Sequence, residues 1–153
     1  MITLAFYKGW RLRPSYLIQD GAIRLVTWSR YSHVEFIAGR AELGGAYECW
    51  SSSARRGGVS PAQIMLNPDR WDLVYLDRDP EPGLRRFAQI EGAPYDWFGA
   101  LFSALPFGPV NNPEAWFCSE ACAYAVTGHR DTPSPGEHAR SLGVPFQKVS
   151  TNV

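Results

Sequence analysis

The chain has 153 residues, 45% of them hydrophobic, and its 15 basic and 15 acidic side chains cancel to a formal net charge of zero. That length suits a core that folds without disulfides or metal, so one domain over residues 1–153 is expected. The charge balance, with no basic stripe carrying interleaved aromatics, argues against nucleic acid as a partner. Three cysteines, at positions 49, 118 and 122, do not describe a disulfide framework and fit a reducing compartment.

In chain order, Ile2 to Tyr7 reads as a strand and lacks the basic leader, long apolar run and cleavage site of a secretory signal, so cytoplasmic synthesis is expected. Ser15 to Trp28 places Tyr16, Leu17, Ile18, Ile23, Leu25 and Val26 at mostly helical spacing, interrupted by Gly21. Ser32 to Ala38 reads as a strand ending at Gly39, and Ala46 to Ser51 as its antiparallel neighbour after Gly44-Gly45. A polar loop from Ser51 to Gly58 and a turn at Asn67-Pro68 lead to a further strand, Trp71 to Leu76, which predicts a sheet of four or more strands.

From Glu81 onward the pattern turns helical: Pro82 to Glu91, Tyr95 to about Leu105, a helix opening at Cys118, and a short one near Pro135 to Leu142. A loose tail is expected after Pro145. Strands first and helices afterwards give an α+β class with a small antiparallel sheet packed against helices. No run approaches the roughly 18 apolar residues that a spanning helix needs, although Trp97 to Val110 is apolar enough to line a groove or an interfacial surface.

The chemistry concentrates at Trp116-Phe117-Cys118-Ser119-Glu120 and at Tyr31-Ser32-His33-Val34-Glu35. A thiol becomes a nucleophile at neutral pH only where a helix N-terminus and an imidazole stabilise its thiolate. Cys118 follows the turn-prone Asn111-Asn112-Pro113 and opens the apolar run Ala121, Ala123, Tyr124, Ala125, Val126 that stops at Gly128. It therefore belongs in the first turn of a short buried helix, with His33 as the candidate base.

Other residues read more plainly. Cys49 and Cys122 are expected to be small buried hydrophobes. Cys118, Cys122 and His129 lack the paired Cys-x-x-Cys spacing of a zinc site, so neither metal nor cofactor is expected. His129 and His138 lie in polar, turn-rich surroundings and read as exposed. Glu120 reads as a cap for its helix and Asp96 as the N-cap of the next one upstream. Ser51 to Ser53 read as a solvated turn. Arg55-Arg56-Gly57-Gly58 reads as a solvated loop that, next to a site, could bind an acidic group.

Four segments in order carry a resemblance to a permuted papain-like amidase of the NlpC-type cysteine hydrolase superfamily, in which the histidine precedes the cysteine. They are Ala22 to Thr27 running into Tyr31-Ser32-His33-Val34, then Ala46-Tyr47-Glu48 with Gly57-Gly58-Val59, then Pro94-Tyr95-Asp96, then Phe117-Cys118-Ser119-Glu120. The resemblance implies a Cys118 nucleophile, a His33 base and an orienting residue on the neighbouring strand, which here is Glu48. Glu35 competes with Glu48, because it stands two residues after His33 on the same strand face. It also departs from the family, where glycine is common at that position.

The activity implied is hydrolysis of an amide, in a peptide or a peptidoglycan-type stem. Acyl transfer, hydrolysis of a lipid ester or thioester, and a non-catalytic module for a peptide or acylated ligand are the alternatives. The compact size resembles stand-alone members from bacteria and their phages.

Overall fold

The computed structural model of the protein describes residues 1–9, 30–40, 45–102, 112–131, 133–143 and 147–148. Among these residues six strands, β1 (Ile2–Tyr7), β2 (His33–Arg40), β3 (Tyr47–Ser53), β4 (Gly58–Ile64), β5 (Trp71–Leu76) and β6 (Gln147–Lys148), form one sheet in the order β4-β3-β2-β1-β5-β6. All neighbours are antiparallel. Among the described residues four helices accompany them: α1 (Glu81–Ile90), α2 (Trp97–Phe102), α3 (Cys118–Thr127) and α4 (Pro135–Ser141). The α+β class expected from segregated strands and helices is what the chain adopts.

Strand alternation divides the buried side chains between the two sheet faces. Leu4 and Phe6 of β1, Val34 and Phe36 of β2 and Val74 of β5 join Phe87 of α1 and Ala121, Cys122 and Ala125 of α3 in the main core. Phe36 and Phe87 are fully buried and meet edge to face at 5.6 Å; a fully buried side chain of this size contributes about 1.5–3 kcal/mol. Ala5, Tyr7, Leu66, Trp71 and Leu73 make a second, smaller cluster. His33 and Glu35 pair across from Tyr7 and Ala5, and so they stand on the side of that second cluster.

Helix α3 is central: eight of its ten residues are buried. Its Ala, Ser and Cys side chains are small, which lets the helix axis come close to the sheet, and Gly128 ends it in the left-handed region at φ 79°. Gly83 of α1 faces the same crowding, since a Cβ there would come within 2.9 Å of the Phe36 ring and 3.1 Å of the Ala125 carbonyl.

Several expectations need correction. The segment from Ser51 to Gly58 is not one loop: β3 runs to Ser53, a tight turn covers residues 54–57, and β4 begins at Gly58. Strand β4 is hidden in the sequence by Pro61, which a strand tolerates only at a sheet edge, the place β4 occupies. The tail expected after Pro145 contains β6, paired with β5 through Asp72↔Lys148 and Leu73↔Gln147. The helix expected over Ser15 to Trp28, and the end of the one expected to reach Leu105, lie outside the described residues. Among the described residues no helix is long and apolar enough to cross a membrane.

Candidate active site

Cys118 is the first residue of α3, with Phe117 in extended conformation before it. The segment leading to it is fixed from two sides. Asp96 N–H donates to the Trp116 carbonyl at 2.9 Å and Trp116 N–H to the Pro94 carbonyl at 2.9 Å, which ties residues 94–96 to the approach of the helix. Arg130, just past the other end of α3, donates to the carbonyls of Asn112, Pro113 and Ala115 at 2.8, 2.5 and 2.6 Å, and its guanidinium sits 4.1 Å from the Trp116 ring centroid. Its Nε also donates to Glu120 at 2.8 Å. The planar fork of an arginine serves this many acceptors as an ammonium could not.

Glu120 is fully buried and plays the capping part expected of it: its carboxylate accepts from the Phe117 N–H at 3.3 Å. Burial raises its pKa, and Arg130 opposes that rise. Asp96 is likewise a cap, accepting from the Gly99 N–H at 2.7 Å. Gly99 cannot be larger, because a Cβ there would lie 2.4 Å from the Asp96 carboxylate.

The β2–β3 ladder runs from Arg40↔Tyr47 to Phe36↔Trp50 and is not continued toward His33. In its place Ser51 Oγ donates to the Val34 carbonyl at 2.7 Å, Cys122 Sγ approaches the same carbonyl at 3.8 Å, and Ser52 Oγ donates to the Trp116 carbonyl at 2.6 Å. The N-terminal part of α3 thus sits against the open end of the ladder, and Cys118, its first residue, is near enough to His33 to act on the charge of the imidazole. Ser51 to Ser53 are therefore not a solvated turn. They are buried, and the Ser51 hydroxyl satisfies a β2 carbonyl that the ladder leaves open while Ser52 ties β3 to the approach of α3.

His33 Nε2 lies 2.7 Å from Glu35 Oε1. Glu35 is 2% exposed, and Arg56 from the β3–β4 turn donates to both of its oxygens at 3.2 Å and to the Ser51 carbonyl at 3.2 Å. A buried carboxylate held from two sides satisfies its charge as well as its lone pairs. Burial pushes Glu35 upward, but His33 and Arg56 overcome it and the carboxyl is held below its ordinary range. Burial likewise works against a charged His33, and here the neighbouring Cys118 and Glu35 outweigh it, raising the imidazole to about 9.

Glu48, expected to orient the imidazole, stands elsewhere. It pairs with Gly39 and Gln63 and is exposed, and Gly39 lies six residues along β2 from His33, about 20 Å at the usual strand rise. The structure brings together Cys118, His33 and Glu35, and it leaves Glu48 out. Arg56, read from the sequence as part of a solvated loop, joins the group, and Arg130 holds the segment that delivers Cys118. Two arginines among polar neighbours carried no sequence signal for these tasks.

Burial raises the Cys49 thiol to about 12, and burial pushes Cys122 well above the ordinary range, so both are poor nucleophiles. His129 is exposed, as expected. His138, also expected at the surface, is 3% exposed and meets the Phe6 ring edge to face at 5.9 Å. Among the described residues no three His, Cys, Asp or Glu side chains come together as a metal site.

A cavity of about 400 Å³ opens beside this group, lined by His33, Glu35, Ser53, Arg55, Arg56 and Trp71 among others. It gives His33 an accessible flank on which a small organic group can be seated. No protein-family model matches the chain, and no curated protein matches it in sequence.

Proposed function

We propose that this chain is a thiol hydrolase that cleaves an amide bond by acyl transfer through Cys118, on a scaffold of the permuted papain-like kind. What supports the reading is the buried group His33–Glu35–Arg56 beside Cys118, in which one imidazole is held by a carboxylate and its charged form is favoured by the neighbouring Cys118. Each member suits one task. His33 takes the thiol proton, Glu35 fixes the ring so that the other nitrogen faces sulfur, and Arg56 keeps Glu35 ionised and in place.

The thiolate attacks the substrate carbonyl carbon to form a tetrahedral oxyanion. The Cys118 backbone N–H, in the first turn of α3 and so without an intrahelical acceptor, is the natural donor to that oxygen. Collapse of the intermediate breaks the C–N bond while imidazolium His33 protonates the departing amine. His33 then removes a proton from water, the hydroxide attacks the thioester carbonyl, and the acid and the thiol are released. Proton count and charge return to their starting values after each cycle.

Exposure of the protein to a panel of peptide anilides, peptidoglycan stem peptides and acyl thioesters tests the reading. Turnover that stops in Cys118→Ala, with an acyl adduct on Cys118 seen by intact mass after acid quenching, is the expected result. Turnover that survives Cys118→Ala, or no adduct and no turnover with every member of the panel, contradicts it.

A further inference from the structure

A second cavity, of about 410 Å³, lies between the end of β5, the second half of α3 and α4, and among the described residues it shares no wall with the one beside His33. Leu76, Ala123, Val126 and Leu142 give it an apolar lining. Its walls are fixed by the protein itself. Ser119 Oγ donates to the Pro133 carbonyl at 2.6 Å, which ties the stretch before α4 to the start of α3. Ser134 and Glu137 then cap α4 reciprocally, at 2.9 and 3.3 Å. A pre-formed cavity of this size, apolar with a few polar groups, is the usual form of a small-molecule site.

Two of the polar side chains on its walls are already engaged. Thr127 Oγ1 donates to the Ala123 carbonyl at 2.9 Å and accepts from the His129 N–H at 3.1 Å, and Ser141 Oγ donates to the His138 carbonyl at 2.9 Å. Three others are not. His138 also lines the cavity, yet it is 3% exposed and its Nδ1 has no hydrogen-bond partner. A buried ring nitrogen without a partner costs stability, a cost that a polar atom of a ligand offsets. Arg78 and Asp131 stand exposed on the same walls, and among the described residues neither side chain has an ion pair or a hydrogen bond.

We propose that this cavity binds a free α-amino acid with an aliphatic side chain. Arg78 receives the carboxylate through two parallel N–H donors, Asp131 receives the ammonium, and the apolar lining takes the side chain. The His138 ring, kept neutral by burial that lowers it to about 4, can donate or accept one further hydrogen bond. A simple anion meets repulsion from Asp131 and a simple cation meets repulsion from Arg78, whereas a zwitterion answers both charges. The site uses neither Cys118 nor His33, so it stands or falls apart from the hydrolase reading.

Titration of isotope-labelled protein with L-leucine, followed by NMR, tests this. Saturable shifts are expected at the amides of Ala123, Val126 and Leu142 and at the His138 ring nitrogens. Leucinamide, which lacks the carboxylate, and isocaproate, which lacks the ammonium, are each expected to bind roughly tenfold more weakly, and glycine, which lacks the side chain, weaker still. Arg78→Ala and Asp131→Ala change exposed side chains, so both variants should keep the wild-type fold while each loses roughly tenfold in leucine affinity. Failure of millimolar leucine to saturate, binding of leucinamide or isocaproate as tight as that of leucine, or full affinity in either charge variant overturns the proposal.

Discussion

His33 and His138 are two buried histidines, and their protonation goes in opposite directions. His138 is 3% exposed, its Nδ1 has no hydrogen-bond partner, and burial alone lowers it to about 4. His33, 9% exposed, has Cys118 and Glu35 against it and rises to about 9. Burial by itself makes an imidazole neutral and inert, whereas burial beside a thiol and a carboxylate keeps it charged near neutral pH. The neighbours decide, and those at His33 are the ones that nucleophilic chemistry requires.

The sharpest way to break the comparison is to take the carboxylate away from His33. Glu35→Gln leaves Arg56 without its ionic partner and His33 without one of the two groups that hold its pKa up. Loss of one partner of a buried pair should lower unfolding free energy by about 3–4 kcal/mol, measured by urea denaturation at pH 7. The alkaline limit of Cys118 reactivity should also move to lower pH. A variant as stable as wild type, with an unchanged pH profile, would mean that Glu35 does not support the imidazole.

The pH dependence of stability separates the two histidines more finely. At His138 the unfolded chain takes up a proton near the ordinary value of 6.5 while the folded protein refuses it down to about 4, so stability falls as pH drops through that window. The loss is about 3 kcal/mol at full depth, and His138→Leu should remove that share of the slope. His33 has the opposite sign. Its folded value lies above the unfolded one, so its contribution is fully present below 6.5 and is lost as pH rises through about 9. Glu35, held below its ordinary range, adds stability above 4.5 that disappears as pH falls through its lowered folded value. Denaturation midpoints of wild type and His138→Leu that run parallel from pH 6.5 to 4 would refute the account of His138.

The smallest effect is expected at Glu48. It is exposed at the far end of the β2–β3 ladder, and Glu48→Gln should change stability by less than about 0.5 kcal/mol and leave Cys118 reactivity where it was. A large loss of reactivity would restore the orienting role that the resemblance implied for it.

Glu35 and Glu48 also show which part of the site was legible in the sequence. Period-two alternation put Glu35 on the face of His33, and the structure keeps it there at 2.7 Å. The position of Glu48 depended on strand register, which is set by tertiary pairing and carries no local signal. Helix α3 was readable because an apolar run ends in Gly128, and β5 because Trp71, Leu73, Val74, Tyr75 and Leu76 crowd apolar and aromatic residues into one short segment. Strand β4 was obscured by Pro61, and Ser51 to Ser53 by their polarity, since hydroxyls that satisfy buried carbonyls look like loop residues. His138 was misread for a similar reason: the helix α4 that buries it is written almost entirely in polar and small residues, Pro135 to Ser141.

The most direct test of the central claim is limiting alkylation of native protein with iodoacetamide from pH 5 to 9, mapped by mass spectrometry, in wild type and His33→Ala. If Cys118 and His33 act together, Cys118 alone is modified rapidly below pH 7, while Cys49 and Cys122 stay unlabelled, and His33→Ala slows Cys118 on the order of 100-fold or more. If Cys118 reacts no faster than Cys49 and Cys122, or if His33→Ala leaves its rate unchanged, the catalytic pairing is contradicted.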